Sequence, residues 1–350
     1  MLDQAIHSLA YAFGKPTATG RLRKIPEDFC VTEIPLLEPE GEGEHVWLWI
    51  RKSTENTQWV AEQLAHFAAV HPRQVSYAGM KDRHAVTEQW FSVQLPGRDA
   101  PDWEALNSDT LTVLRHARHS RKLRRGALKG NHFMLRVRDI EGDDAELEKR
   151  LTVIAREGVP NYFGEQRFGR DGSNLHNAQR LFANPRLRFS RNKRSLTLSA
   201  ARSFLFNQVL SHRVNTAIWN APIDGDAMQL DGSHSFFIAE TPDAELMARV
   251  QQQDVHPTGP LHGRGETPVR GACRELEQSV LGHYTDWSEG LETAGLKQDR
   301  RALRLRAQGL SWDRNSGGDL LLEFSLPAGA YATCVLRELL QARSGCSGSE

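Results

Sequence analysis

Strand-like sequence both opens and closes this chain of 350 residues, while its middle has a different composition. That arrangement calls for one sheet domain built from both ends and interrupted by an insertion. Residues 20–35 read as a turn leading into a strand of alternating character, and His45–Ile50 reads as a second strand. Thr54–His71 reads as a helix capped by Asn56 or Thr57, with Val60, Leu64 and Phe67 on one face. Strands follow at Val75–Ala78, Trp90–Leu95 and His132–Arg138, then a helix from Asp143 to Glu157. Character changes at Gly158-Val159-Pro160. Residues 174–220 are helical in period, 221–270 are loop-rich with a short strand at Ser235–Ala239, and a helix runs from Arg270 to Gly282. Strand character returns at Arg301–Ala307 and Leu320–Leu326, before a closing helix, Ala332–Arg343, and a polar tail, Ser344–Glu350, expected to be disordered. The expected division is therefore 1–157 with 304–343 as one discontinuous α+β domain, and 158–303 as the insertion.

With 39% hydrophobic and 25% charged residues the chain has material for a soluble core. It has no apolar run near the roughly 20 residues that span a bilayer, and no secretory pattern at its start. Cys30, Cys273, Cys334 and Cys346 are scattered, which suits a reducing cytoplasm better than a disulfide framework. The histidines form no H-E-x-x-H, and no tight Cys/His cluster exists, so no metal is expected.

Net charge is zero, but the signs are segregated. Arg115–Arg138 holds nine Lys/Arg and no acid, and Gly172–Ile223 holds eight and no acid. Acids gather elsewhere, at Glu38–Glu44 and Asp143–Glu148. Such a surface suits a polyanionic partner, RNA or DNA. Arg121, Lys122, Arg124, Arg125 and Lys129 are the leading contact candidates.

Chemistry centres on Tyr77–Gln89, where Asp82 lies between Lys81 and Arg83. Cationic neighbours favour a carboxylate able to act as nucleophile or base. Asn161–Gly169 interleaves aromatics with Arg167, a pattern suited to bases and phosphates, or to an anchored turn between domains. Tyr331, at a strand-to-helix junction, reads as a base platform or a core plug, and Asn131 as a base reader or a turn residue.

Together these strings resemble the TruD family of tRNA pseudouridine synthases. The likeness rests on Pro26–Phe29, Ala78–Asp82 through Thr87–Gln89, Gly126–Asn131, Asn161–Gly169 and Leu326–Gly329. It implies a pseudouridine-synthase fold, with a mixed or antiparallel central sheet flanked by helices and an inserted α/β TRUD-type domain. It also implies cofactor-free isomerisation of a uridine in tRNA, at position 13 in bacterial members. Asp82 becomes the catalytic aspartate, and Phe29, Asn131 and Tyr331 line the nucleotide pocket. Tyr331 stands where the family usually has phenylalanine, so its hydroxyl needs a partner. Arg23, Phe133 and Lys81 join them as substrate-side residues. The implied partner is tRNA, with no membrane and no obligate protein partner, the protein acting as a monomer.

Isomerisation fits a chain with no P-loop, Rossmann fingerprint or metal spacing. The rivals are a non-catalytic RNA-binding or chaperone protein using the same basic surface, and a methyltransferase. The second lacks a cofactor loop, since neither Gly41/Gly43 nor Gly263/Gly265 has the third glycine before a helix.

Overall fold

The computed structural model describes residues 8–184 and 186–344. Its first seven strands are β1 (Thr19–Leu22), β2 (Phe29–Pro35), β3 (His45–Ser53), β4 (Val75–Tyr77), β5 (Val86–Gln94), β6 (Leu111–His119) and β7 (Leu128–Glu141). The chain then runs through β8 (Val159–Pro160), β9 (Asp226–Leu230), β10 (Phe236–Ala239), β11 (Val255–Leu261), β12 (Asp299–Ala302) and β13 (Arg304–Leu305). It finishes with β14 (Gln308–Arg314), β15 (Leu320–Pro327) and β16 (Gln341–Ser344).

Two compact units result. A sheet unit comprises Thr17–Asp143, Ala307–Gly329 and the segment from Leu340. A helical unit comprises the segment before Thr17, Asp144–Arg306 and Ala330–Leu339. Composition alone set the boundaries at 158 and 303, whereas packing sets them at 144 and 306. The segment before Thr17 and Ala330–Leu339, expected in the sheet domain, also fall in the helical unit, and the helix Asp144–Glu157 buries Leu147, Leu151 and Ile154 and packs on the helix Ala332–Leu339. Arg150 on the first helix donates to the Glu338 carbonyl on the second.

The sheet unit holds a ten-stranded mixed sheet in the order β14-β15-β7-β2-β5-β3-β6. β4 is added beside β5, β1 beside β7, and β16 beside β1. β3 is buried on both faces because its residues alternate between two cores. Val46, Leu48 and Ile50 join Phe91, Val93 and the helix Thr57–Phe67 on one side, while Trp47 meets Trp90 and Leu123 on the other. That helix is shorter than the expected Thr54–His71, and Asn56, one of the two expected caps, accepts through its side chain from the Trp59 amide. β2 and β5 run parallel, Cys30 opposite Val86 and Thr32 opposite Glu88. Segments entering these two strands therefore meet at the same end of the sheet.

The helical unit has a four-stranded antiparallel sheet, β10-β9-β11-β12, beside the long helix Arg191–Asn215. The stretch 174–220, helical in period, holds two helices, Ser173–Ala183 and Arg191–Asn215. The closing helix stops at Leu339. From Gln341 the chain pairs in parallel with β1, so residues expected to be helical are an added strand. Ser344, assigned to the tail, ends that strand, and the rest of the expected tail lies outside the described residues.

Gly130 is required where β7 meets β15, because a Cβ there would run into the Leu326 carbonyl oxygen. Gly130→Ala is expected to cost about 1–3 kcal/mol through overpacking, read as a lower urea midpoint with an unchanged slope.

Candidate active site

Asp82 lies in the loop between β4 and β5, and that loop is anchored residue by residue. The Ala78 carbonyl accepts from the Gly126 amide at 2.8 Å. The Gly79 carbonyl accepts from Gln89 Nε2 at 2.9 Å, and the Lys81 amide donates to Thr57 Oγ1 at 2.9 Å. Lys52 Nζ donates to the Asp82 carbonyl at 3.0 Å, and Arg83 Nε donates to the Thr54 carbonyl at 3.0 Å. Short connections with this many fixed points hold a side chain in one geometry.

The Asp82 side chain is 41% exposed and accepts from Arg23 Nη2 through Oδ2 at 2.6 Å. Arg23 reaches it from the turn between β1 and β2 with φ +57°, a left-handed conformation costing a non-glycine residue about 1–2 kcal/mol. Its guanidinium also lies 4.0 Å from the Phe29 ring centroid. The parallel β2–β5 register explains the meeting, since Arg23 precedes one strand and Asp82 the other.

Phe29 and Phe133 are buried rather than open platforms. Their rings meet edge-to-face at 6.3 Å, and Phe133 stacks on Phe324 at 5.4 Å. Phe29 thus supports Arg23 from below. Asn131 lies opposite Glu33 on β2 and Leu326 on β15, and its Oδ1 is buried with no hydrogen-bond partner among the described residues. A buried, unused acceptor in a site is open to a donor from a ligand.

Lys81, expected at the substrate, turns inward instead. Its Nζ sits 2.9 Å from Glu33 Oε2, with the two side chains 4% and 1% exposed. Glu33 Oε1 accepts in addition from the Trp90 amide at 3.3 Å. The Asp82 loop is therefore fixed to β2 by a buried ion pair. Sequence reasoning missed this pair's acid, Glu33, as well as Lys52, Thr57 and Gln89. A signal was present in the strand phase. Glu33 follows Phe29 and Val31, and Lys52 follows Leu48 and Ile50, so each charge falls at a core-facing position. Burial pushes the Lys52 ammonium down to about 8, against the opposing pull of Asp82.

The five cations Arg121, Lys122, Arg124, Arg125 and Lys129 are all exposed, on the β6–β7 loop and the start of β7. Arg125 stacks over Tyr77 at 3.8 Å, immediately before the Asp82 loop. Other members of that tract are structural. Arg138 chelates the buried Asp28, Arg118 bonds the carbonyls of Gly43, Leu95 and Arg98, and Arg115 pairs with Glu38.

Tyr331 and Arg167 belong to the helical unit. Arg167 Nη2 donates to the Tyr331 hydroxyl at 3.0 Å and Nη1 to Ser199 Oγ at 3.2 Å, so Arg167 orients the tyrosine rather than joining the exposed cations. Tyr162, Phe163 and Phe168 of the aromatic–arginine string are buried. Arg301 packs 4.2 Å from the Phe163 ring and donates to Asn161 Oδ1 at 2.6 Å. The string is thus an internal anchor of that unit. Among the described residues, no group of three or more His, Cys, Asp or Glu is placed to hold a metal ion, and no helix is long and apolar enough to cross a membrane.

The family model for tRNA pseudouridine synthase D (TruD) matches residues 5–184 and 174–339. A protein named tRNA pseudouridine synthase D from Nitrosococcus oceani is 54% identical over 335 residues, covering 95% of this chain and 94% of its own. One of the same name from Aeromonas hydrophila is 51% identical, covering 99% and 97%. A crystal structure from Methanosarcina mazei, described as a TruD, superposes with a TM-score of 0.72 at 24% identity. It covers 95% of both chains and speaks to the fold.

Lys81→Met should destabilise the protein by about 3–5 kcal/mol, because Glu33 is left as an unpaired buried charge. Lys81→Met with Glu33→Leu should recover most of that loss, as measured by a double-mutant cycle in urea.

Proposed function

Because this chain belongs to the TruD family, we propose that it is a tRNA pseudouridine synthase acting on uridine 13, with Asp82 as the reacting carboxylate. The observation that carries the reading is the state of Asp82. One oxygen is held by Arg23 at 2.6 Å, while Oδ1 takes no hydrogen bond among the described residues, on a loop tied down on both sides. Such a carboxylate has one oxygen fixed for aim and one left for chemistry.

In the proposed reaction the C1′–N1 bond of uridine breaks, the freed uracil turns, and C5 bonds to C1′. A proton leaves C5 and one is gained at N1, so no oxidant, reductant or transferred group is required. Asp82 serves either by attacking the sugar or by removing a sugar proton. The uridine has to leave its stack to reach a side chain in a loop. Asn131 Oδ1, buried and unpartnered, suits an N–H of the uracil edge. For Tyr331 a stacking role comes from the family likeness, worth about 1–3 kcal/mol per base. Arg167 supplies the partner its additional hydroxyl needs. The reading requires no cofactor and no second protein chain. The free thiols of Cys30, Cys273 and Cys334 suit a cytoplasmic location.

Asp82→Asn is expected to fold and to bind tRNA with affinity near the parent's, but to form no pseudouridine when transcripts are mapped by carbodiimide-dependent primer-extension stops. Turnover near the parent rate would remove Asp82 from the mechanism. If Arg121, Lys122, Arg124, Arg125 and Lys129 each meet a phosphate, replacing all five with glutamine should flatten the log–log salt dependence of tRNA binding by roughly 4. Filter binding across a potassium chloride series measures that slope.

A further inference from the structure

Lys52 is a fully buried charge at a position where the apolar phase of its strand does not call for one. It ends the inward phase of β3, after Val46, Leu48 and Ile50, and is 0% exposed. A leucine or methionine there would continue the apolar phase at no desolvation cost, whereas a buried ammonium is strongly penalised unless hydrogen-bonded. No carboxylate of the described residues forms a salt bridge with it. Its ammonium donates instead to two main-chain carbonyls, Glu55 at 2.7 Å and Asp82 at 3.0 Å. The first lies just ahead of the Asn56 cap of the helix Thr57–Phe67, and the second belongs to the proposed reacting residue itself.

We propose that Lys52 is a positioning residue for the Asp82 carboxylate, clamping the Asp82 main chain to the start of that helix while Arg23 holds its side chain. The assignment rests on Asp82 being the reacting group. The other anchors act on neighbouring residues. Thr57 takes the Lys81 amide, Gln89 the Gly79 carbonyl and Glu33 the Lys81 ammonium. Among the described residues, only Arg23 and Lys52 grip Asp82 through hydrogen bonds, one at its side chain and one at its main chain. With Lys52 removed, the carboxylate can swing about the Arg23 contact, and a misplacement of about 1 Å is enough to cost about 10²-fold in rate.

The charges facing Lys52 are Asp82, already bound to Arg23, Lys81, already bound to Glu33, and Glu55. The ammonium loses its proton near pH 8 instead of 10.5. A neutral amine grips two carbonyls less strongly than an ammonium does, so turnover should fall above pH 8. Stability moves the other way. A folded-state value below the unfolded one means that the folded chain binds fewer protons between about 8 and 10.5. The penalty for burying the charge is therefore full below pH 8 and relieved as pH rises through that window. A purely structural lysine would not lower turnover while stability holds.

The test compares Lys52→Met, Asp82→Asn and the parent protein for single-turnover pseudouridine formation on tRNA transcripts, tRNA affinity, and melting temperature from pH 6.5 to 9.5. Lys52→Met should bind tRNA within about threefold of the parent, lose about 10²-fold in rate, and lose the decline above pH 8. Lys52→Met within threefold of the parent rate, beside an inactive Asp82→Asn, overturns the role of Lys52 alone. An active Asp82→Asn overturns the mechanism beneath it. If Lys52→Met does not fold, the parent carries the test. A rate at saturating tRNA that falls above pH 8 while the melting temperature holds supports the clamp, and a rate flat to pH 9 overturns it.

Discussion

A buried ammonium–carboxylate pair, Lys81 with Glu33, fixes where the Asp82 loop lies on its sheet. Taking both charges out of water costs several kcal/mol per ion, and mutual attraction repays it only with good geometry and further hydrogen bonds. Glu33 meets that condition through the Trp90 amide on β5, and Lys81 through a main chain already bonded to Thr57. Apolar residues could fill the same space, but they would tolerate several loop positions. An ion pair in a dry interior accepts one. Around it stand Gln89 and Thr57, so the floor beneath Asp82 is polar where the rest of that sheet face, from Leu48 to Phe91, is hydrocarbon.

Local pattern gave the elements whose signals are local. The helix capped at Asn56, the strand that holds Trp90–Gln94 of the expected Trp90–Leu95, and the strand containing Leu320–Leu326 all stand where periodicity puts them. Failures came where a distant partner decides the conformation. Gln341–Arg343 continues a helical period, yet becomes a strand because β1, more than 300 residues earlier, offers an edge to pair with. β6 was overlooked because much of it is exposed, and its alternation is blurred by Arg115 and Arg118. At the site the same division holds. Asp82 and Arg23 could be picked out from their motifs, whereas Lys52 and Glu33 matter only through a register that joins strands far apart in sequence.

Counting charge along the chain overstated the surface available to RNA. Of the second acid-free tract, Arg213 lies wholly inside the helical unit, bonded to Asp226, and Arg202 ties down the carbonyls of Leu261 and Lys297. Outside that tract, Arg300 pairs with Glu277 in the same interior, and Arg304 donates to the Val250 and Val255 carbonyls. Guanidinium suits such work because its fixed fork satisfies several acceptors at once. The helical unit therefore spends much of its positive charge on holding itself together.

The pairing of β7 with β15 carries a consequence for the order of events during synthesis. Eight residue pairs, from Val137 opposite Leu320 to Gly130 opposite Pro327, join segments separated by most of the helical unit. A nascent chain makes Asp144–Arg306 while β7 still waits with one edge open to water, and the helical unit itself is complete only once Ala330–Leu339 follows β15. Asn131 acquires its neighbour Leu326 only after the long segment between β7 and β15 has been made. Long loops slow such closure, so a chain cut short between β7 and β15 would carry Asp82, Arg23 and Asn131 yet lack the strand that lies beside Asn131.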